Sequence, residues 1–427
     1  MKFYLISLGC PKNLTDSEDF CARLAAKGHK MVFTPQGADI IIINTCGFLS
    51  SALKEARENI KTALELKSKG IVKKVAVTGC MVERLKDEVK KEFPELDLVF
   101  SVAQQERIDE IINGRAQLIT PIQNALHIPR YKMSLTLPHT AYLKAADGCN
   151  NRCAYCAIPA IRGAYRSKPM EDVMAEARLM AQNGVKEISL IAQDTTSYGQ
   201  DLYGKPQLER LLKKLVKIKD LQRIRIMYAY PHRVSRELAD IMAGEEKIFH
   251  YLDIPLQHIS DNILKAMNRH CGAGAVKKVL DMLKKTVPDI ALRTNFITGF
   301  PGETEKDFAE LKKFVKDYQF DNIGVFEYHR EPGTPAYSMR GQVPAAVKKR
   351  RAQELALAQS RVVDKLNKAL IGQTIEVISD TPLRGRTYKD APDIDGTLDF
   401  AKPVQAGQIF KAKIIKAEGY RRTAETA

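Results

Sequence analysis

The chain has no long apolar run. Nothing in its 427 residues approaches the roughly 18 consecutive apolar residues of a membrane span. Cysteine is scarce. Eight in a long chain of ordinary hydrophobic content do not read as a disulfide scaffold. No internal repeat or low-complexity segment stands out. The short apolar run Leu5–Cys10 ends in Gly-Cys, but it falls short of the roughly 7–15 apolar residues of a secretory leader and does not read as one. Acids are also in deficit: 51 Asp and Glu against 67 Lys and Arg leave a net charge of +16. Such an excess suits an anionic partner such as RNA or a ribosome surface, although a coat of Lys on solvated helices gives the same total. The excess is uneven. Residues 343–370 hold seven bases against two acids, including Lys348-Lys349-Arg350-Arg351, whereas the last 62 residues hold ten bases against eight acids.

The few cysteines fall into sets. Cys149, Cys153 and Cys156 stand in Asp147-Gly148-Cys149-Asn150-Asn151-Arg152-Cys153-Ala154-Tyr155-Cys156. Three thiolates this close can grip one metal centre, but structural zinc and ordinary iron–sulfur clusters want four protein ligands. A centre left one ligand short keeps a position where chemistry can occur. The alternative is a zinc knuckle whose fourth ligand lies elsewhere.

Cys10, Cys46 and Cys80 form a second set. Each follows a β-rich apolar run: Phe3–Ser7 before Gly9-Cys10, Ile40–Ile43 before Thr45-Cys46-Gly47, and Val75–Val77 before Gly79-Cys80. Continuous Ile and Val suit parallel strands buried on both faces, and helical patterns at Ser17–Lys27 and Ser51–Lys67 alternate with them. The expected fold is a parallel α/β sheet with the three thiols at strand C-terminal ends, where such sheets bind ligands. The competing reading is three small buried cysteines. Cys21 falls within a helical pattern and is expected in the core, and Cys271 is assigned no role.

This divides the chain into an α/β unit over 1–118, a connector over 119–138 with Pro121, Pro129 and Pro138, a second unit over 139–366, and a strand-rich tail over 367–427. The second unit shows six candidate strands: Tyr142–Ala145, Glu187–Ile191, Arg223–Met227, Tyr251–Ile254, Ala291–Phe296 and Asn322–Phe326. Helical patterns such as Glu171–Gln182 and Leu208–Val216 separate them. Six βα units are too few for a complete eight-unit barrel, so a partial, open barrel is expected, with the first cysteine set on its C-terminal rim. A basic helix over Ala345–Leu370 leads to the tail, where Thr374–Ser379, Gly396–Phe400 and Ile409–Lys416 read as a small antiparallel β-barrel.

The C-x3-C-x2-C spacing with Tyr155 before the last Cys resembles the radical S-adenosylmethionine (SAM) enzymes, and the whole chain resembles their methylthiotransferase family. Asp253-Ile254-Pro255-Leu256-Gln257-His258, Ile263 through Arg269, and Phe296-Ile297-Thr298-Gly299-Phe300-Pro301-Gly302-Glu303-Thr304 carry the match together with the six placed cysteines. The resemblance implies an N-terminal three-cysteine domain, a radical SAM (β/α)6 barrel and a C-terminal TRAM barrel. One branch of the family modifies an adenosine of tRNA. Another modifies the β-carbon of an aspartate in small-subunit ribosomal protein S-twelve. Cys10-Pro11-Lys12-Asn13 looks like the ribosomal-protein branch, since the tRNA branch usually has Gln-Met-Asn after that Cys. Ala146-Asp147-Gly148-Cys149, Ala157-Ile158-Pro159 with Ile161-Arg162-Gly163, and Gly385-Arg386-Thr387 with Asp390–Gly396 look like it too. Pro332 departs toward the tRNA branch. The near-neutral tail points away from RNA, where phosphate contacts dominate affinity. Asp390, Asp393, Asp395 and Asp399 read as an acidic patch that would attract a basic ribosomal protein, or as a solvated acidic loop.

By the same resemblance, Cys149, Cys153 and Cys156 hold a four-iron, four-sulfur cluster that binds SAM, and Cys10, Cys46 and Cys80 hold a second such cluster that carries the sulfur. Two SAM molecules are consumed. Tyr155, Gln193, Asp194 and Gln257 are candidate SAM contacts. The implied partners are the ribosomal protein or small subunit, ribosomal RNA through 348–351, an electron donor and a sulfur source. The implied compartment is a reducing cytosol. The competing class is a non-catalytic zinc-bearing, RNA-binding protein, for which neither cysteine set offers an obvious fourth ligand.

Overall fold

The computed structural model describes residues 1–114 and 133–426. Residues 119–132 of the expected connector therefore lie outside the described residues.

Strands β1 (Lys2–Ser7), β2 (Lys30–Val32), β3 (Ile40–Thr45), β4 (Lys74–Gly79) and β5 (Leu98–Val99) form a parallel sheet in the order β2-β1-β3-β4-β5. β3 is wholly buried, because Ile41 and Ile43 pack into one core and Ile40 and Ile42 into the other. That double burial is what the uninterrupted isoleucines encode. The edge strands β2 and β5, three and two residues long, escape the sequence pattern. The first helix, Pro11–Ala26, begins six residues before its apolar pattern does, since Pro11 at its first turn is already preset for helix. Cys21 is fully buried.

The second sheet contains β6 (Thr140–Lys144), β9 (Glu187–Ile191), β10 (Arg223–Ile226), β11 (Ile248–Asp253), β12 (Ala291–Thr298) and β13 (Asn322–Glu327), and after β6 the chain makes a separate two-residue antiparallel ribbon of β7 (Ala146–Asp147) with β8 (Arg166–Ser167). The order β13-β12-β11-β10-β9-β6 is parallel throughout, with β6 and β13 as free edges: an open six-stranded barrel. Helices including Met170–Gln182, Leu208–Leu215 and Ala273–Thr286 bury their apolar faces on its outside in one continuous core.

Helix Ala345–Lys368 packs against β12, β13 and the helix Glu305–Tyr318. Two of its basic quartet, Lys348 and Arg351, are committed to internal partners, and Lys349 and Arg350 stand at the surface. Arg351 is buried on Glu303 at 2.9 Å, Arg350 pairs with Glu305 and Glu354, and Lys348 donates to the Tyr328 carbonyl. Lys349 is exposed.

The tail closes into a five-stranded barrel of β14 (Thr374–Ser379), β15 (Arg384–Thr387), β16 (Thr397–Phe400), β17 (Ile409–Glu418) and β18 (Arg421–Thr426). Its ladders are antiparallel except β16 with β18, which pair in parallel. The loop between β15 and β16 enters the N-terminal mouth of the six-stranded barrel. There Tyr142 donates to the Pro392 carbonyl at 3.2 Å, Tyr251 donates to Asp395 at 2.7 Å, and Arg293 pairs with Asp395 at 3.1 Å. The acidic patch expected of the tail is thereby corrected. Asp390 is buried on Arg422 at 2.6 Å, Asp395 is sunk into the barrel mouth, and Asp399 is taken by Arg421 and Arg384. Only Asp393 of the four lies exposed. Charges that sit close in sequence go to separate partners: Asp390 and Asp399 to arginines within the tail, and Asp395 to Arg293 across 102 positions.

Candidate cluster site at the barrel rim

Cys10, Cys46 and Cys80 follow β1, β3 and β4 at the C-terminal edge of the first sheet. Glycines hold them close. A Cβ on Gly9, whose φ of +91° favours glycine, would lie 2.8 Å from the Cys46 Cβ, and one on Gly47 would lie 2.6 Å from the Cys80 carbonyl. Asn13 and Asn44 lock the loops, with Asn13 donating to the Leu8 carbonyl at 2.6 Å and Asn44 to the Asn13 carbonyl at 2.9 Å. Exposure falls from Cys10, which is open, through Cys46 to the buried Cys80. Burial raises the Cys46 thiol and pushes Cys80 up to about 12, with the neighbouring cysteines adding to the rise against Arg162. Ligation by a metal releases such protons.

Cys149, Cys153 and Cys156 occupy the loop after β7. Gly148, at φ +76°, packs so closely that a Cβ would meet the Ala164 carbonyl at 2.1 Å. Burial pushes the Cys149 thiol up to about 11 and Cys156 up to about 12. The Cys153 sulfur lies 3.7 Å from the Tyr230 hydroxyl and 3.7 Å from the Arg269 guanidinium, which itself stacks 3.9 Å above the Tyr230 ring.

The two sets face each other across the domain junction. Cys80 packs against Ala157 and Ile161, and Ala157 directly follows Cys156. Arg162 spans the gap. Buried at 3% exposure, it donates to the Cys80 sulfur at 3.3 and 3.2 Å, to Asp16 at 2.6 Å, to Asn13 at 3.1 Å and to Asp147 at 3.2 Å. Lys144 joins Asp16 beside it. Lys12 reaches the rim from the first helix, its ammonium 3.3 Å above the Tyr228 ring, and burial lowers its pKa. Arg162, Lys12 and Arg269 escaped the sequence reading as site residues because each acts through partners distant in the chain.

Of the four expected SAM contacts, Tyr155 lies half-buried against Met267, Phe300 and Tyr328. Gln193 donates to Asp147 at 2.7 Å and leaves its own buried oxygen unpartnered. Gln257 sits at φ +72°, a strained conformation for a side-chain-bearing residue, with its side chain unbonded among the described residues. Asp194 differs from these three. Its carboxylate already accepts from Asn151, Thr196, Ser197 and Arg233 at 2.6–2.9 Å. It is an anchor for the loop, not a free acceptor. Among the described residues no three His, Cys, Asp or Glu side chains gather tightly enough for one metal ion. A tetrahedral zinc needs all its sulfurs within about 2.3 Å of one point, whereas a four-iron cube gives each thiolate its own iron.

Sequence models of three families match: uncharacterised protein family UPF0004 over residues 2–101, the Radical SAM superfamily over 143–315, and the TRAM domain over 371–426. The ribosomal protein uS12 methylthiotransferase RimO of Elusimicrobium minutum is 50% identical over 99% of this chain and 99% of its own. The chain belongs to the RimO family. The RimO protein of Carboxydothermus hydrogenoformans is 42% identical over 98% of each chain. In fold, the chain is similar to the radical SAM methyltransferase TsrM of Kitasatospora setae, solved with tryptophan and a SAM analogue, with a TM-score of 0.59 at 12% identity over 86% of this chain and 90% of that one. As a RimO-family member it is a radical SAM methylthiotransferase, with SAM and four-iron, four-sulfur clusters as cofactors. No helix among the described residues is long and apolar enough to cross a membrane.

Proposed function

We propose that the chain places a methylthio group on the β-carbon of an aspartate in ribosomal protein uS12, consuming two SAM molecules and a sulfur from an external donor. The observation that carries the substrate is the 50% identity to the Elusimicrobium minutum uS12 methylthiotransferase over 99% of both chains; the chemistry is supported by the two three-thiol sets, each one ligand short, with Arg162 bonded to Cys80 on one side and Asp147 on the other. Cys149, Cys153 and Cys156 hold the cluster that binds SAM, and Cys10, Cys46 and Cys80 hold the auxiliary one. When bound, the first would supply one-electron reducing chemistry for radical generation from SAM, and the second would supply the sulfur to be transferred. An unactivated C–H bond demands such radical chemistry, which proteins borrow from cofactors.

The chain's own residues do the positioning. Tyr155 flanks SAM. Gln193 and Gln257 offer it polar groups from the strand ends, and Asp194 holds Asn151 and Arg233 in place. The junction buries Cys80 against Ala157 and Ile161, while Cys10 of the same set stays open. Residues 1–118, 139–366 and 367–427 act as auxiliary-cluster, radical SAM and TRAM domains, joined by the linker 119–138. The enzyme works in the cytosol with an electron donor, and Lys349 is the member of the 348–351 quartet free to touch ribosomal RNA.

The test is the intact mass of uS12 from cells with and without the gene, with tRNA nucleosides digested in parallel. Loss of a methylthio increment from uS12 alone supports the reading. Loss from tRNA alone, the branch toward which Pro332 leans, overturns it.

A further inference from the structure

We infer that Lys12 is the specificity-determining residue for the acidic side chain of the substrate, its ammonium group receiving the carboxylate of the target aspartate. This rests on the reading of an aspartate substrate given above. Lys12 hangs from the first turn of helix Pro11–Ala26, two residues after Cys10, and crosses the junction to the barrel rim. Its ammonium sits 3.3 Å above the Tyr228 ring and 3.5 Å from the Ala192 carbonyl. Those residues follow β10 and β9, so the charge stands at the C-terminal mouth, where a substrate must enter to meet both cysteine sets.

The environment of this cation is incomplete. An ammonium has three donors, and here one carbonyl at the limit of hydrogen-bond distance and one ring face receive it. No carboxylate pairs with it among the described residues. Of the anionic groups whose fields reach it, Cys10 comes first and belongs to the auxiliary three-thiol set, while Asp253 and Asp147 have cations of their own: Arg293 at 3.1 Å from Asp253, and Arg162 at 3.2 Å and Lys144 at 3.4 Å from Asp147. Lys144 and Arg162 are both tied to Asp16. Lys12 is thus the junction cation whose ammonium has no carboxylate bonded to it, and a carboxylate brought to it gains a charge-assisted hydrogen bond. A protein aspartate would bring that anion on the atom next to the carbon being modified.

The test uses the full-length, cluster-loaded enzyme with uS12 carrying either the native aspartate or Asn at the modified position. Binding of each protein and kcat/KM are measured for the wild type, Lys12→Met and Lys12→Arg, with iron content and visible absorbance as checks of assembly. The wild type is expected to favour Asp over Asn on the order of 10- to 100-fold, carried mainly by KM, the range for one charge-assisted hydrogen bond. Lys12→Met is expected to bring that ratio near one, and Lys12→Arg to keep most of it. A wild type that binds both proteins alike overturns the proposal whether or not the variants assemble. So does a Lys12→Met enzyme that keeps the ratio, or one that loses SAM affinity while keeping the ratio. A wild type that binds and modifies neither protein refutes the substrate reading itself.

Discussion

The two mouths of the six-stranded barrel use the same residue types to opposite ends. At the N-terminal mouth, charge is paired to completion. Arg225, with no exposure, lies between the rings of Phe249 and Tyr251 at 4.4 Å each and pairs with Glu187 at 3.0 Å. Glu187 also meets Arg386 of the tail at 2.9 Å, and Arg386 reaches Asp380 at 2.8 Å. Burial pushes the Glu187 carboxyl up, but Arg386 and Arg225 prevail and hold it below the usual carboxylate range. At the C-terminal mouth, among the described residues, Lys12 pairs with no carboxylate, the Gln257 side chain is unbonded on a backbone at φ +72°, and the Gln193 oxygen and the Arg269 Nε are buried without partners. The difference is one of ion pairing: Arg225, Glu187, Arg386 and Asp380 form an unbroken chain of opposite charges at one end, whereas Lys12 meets no carboxylate among the described residues at the other. The tail barrel is accordingly part of the catalytic domain's floor, its loop sealing the end where no chemistry occurs.

The harshest way to break this comparison is to remove a thiol from the rim. Cys153→Ala is expected to lose the iron of one cluster and to abolish both SAM cleavage and methylthiolation. Cys10→Ala is expected to lose the iron of the other, to spare SAM cleavage and to abolish methylthiolation. Iron and sulfide content, 5′-deoxyadenosine release and the mass of uS12 check both. Loss of the two activities together in Cys10→Ala would count against separate cluster roles. Both variants should unfold near the wild-type denaturant midpoint when compared without metal, because neither touches the sealed mouth.

Arg225→Met attacks the other end. It leaves Glu187 buried with one cation fewer and strips the two aromatic faces of their guanidinium, and breaking a buried pair from one side typically costs about 3–5 kcal/mol. Asp390→Asn, which leaves buried Arg422 without its anion, belongs to the same range. Both should appear in denaturant unfolding while iron content per folded molecule holds. Equal stability of Arg225→Met and the wild type would mean that the Arg225 network adds nothing net to the tail's docking.

What the sequence discloses follows the same division. Strand–Gly–Cys contexts and the C-x3-C-x2-C loop are local patterns, and the six cysteines, the parallel sheets and the strand ends that display them were readable from neighbours in the chain. Glu187–Ile191 and Thr374–Ser379 coincide with the expected strands residue for residue. The charge networks were not readable. Asp395 finds Arg293 across 102 positions, Arg225 finds the Tyr388 carbonyl across 163, and Arg162 finds Asp16 across 146. An acid's spacing from other acids carries no information about such partners, so the acids of the tail looked like a patch when most were already neutralised. β15 and β18 were missed for a related reason. Their alternation is filled by Arg386 and Arg422, charged residues that point inward because each meets a carboxylate there.

The smallest expected effect makes the sharpest contrast, because it comes from the same stretch of sequence as one of the larger ones. Asp399 lies nine positions after Asp390, and its partners Arg421 and Arg384 are about two-thirds exposed, at 67% and 70%. Exposed pairs contribute about 0–1 kcal/mol, so Asp399→Asn is expected to move the unfolding free energy by less than about 1 kcal/mol. Binding to uS12 should also stay within about twofold, since this acid is already neutralised by two arginines and offers little field to a basic partner. Titrating both Asn variants with urea and with uS12 separates the two roles an acidic tail can have. If Asp399→Asn weakens uS12 binding tenfold while stability holds, the tail is a docking surface after all. If only Asp390→Asn is damaging, and only to stability, the acids of the tail belong to the fold.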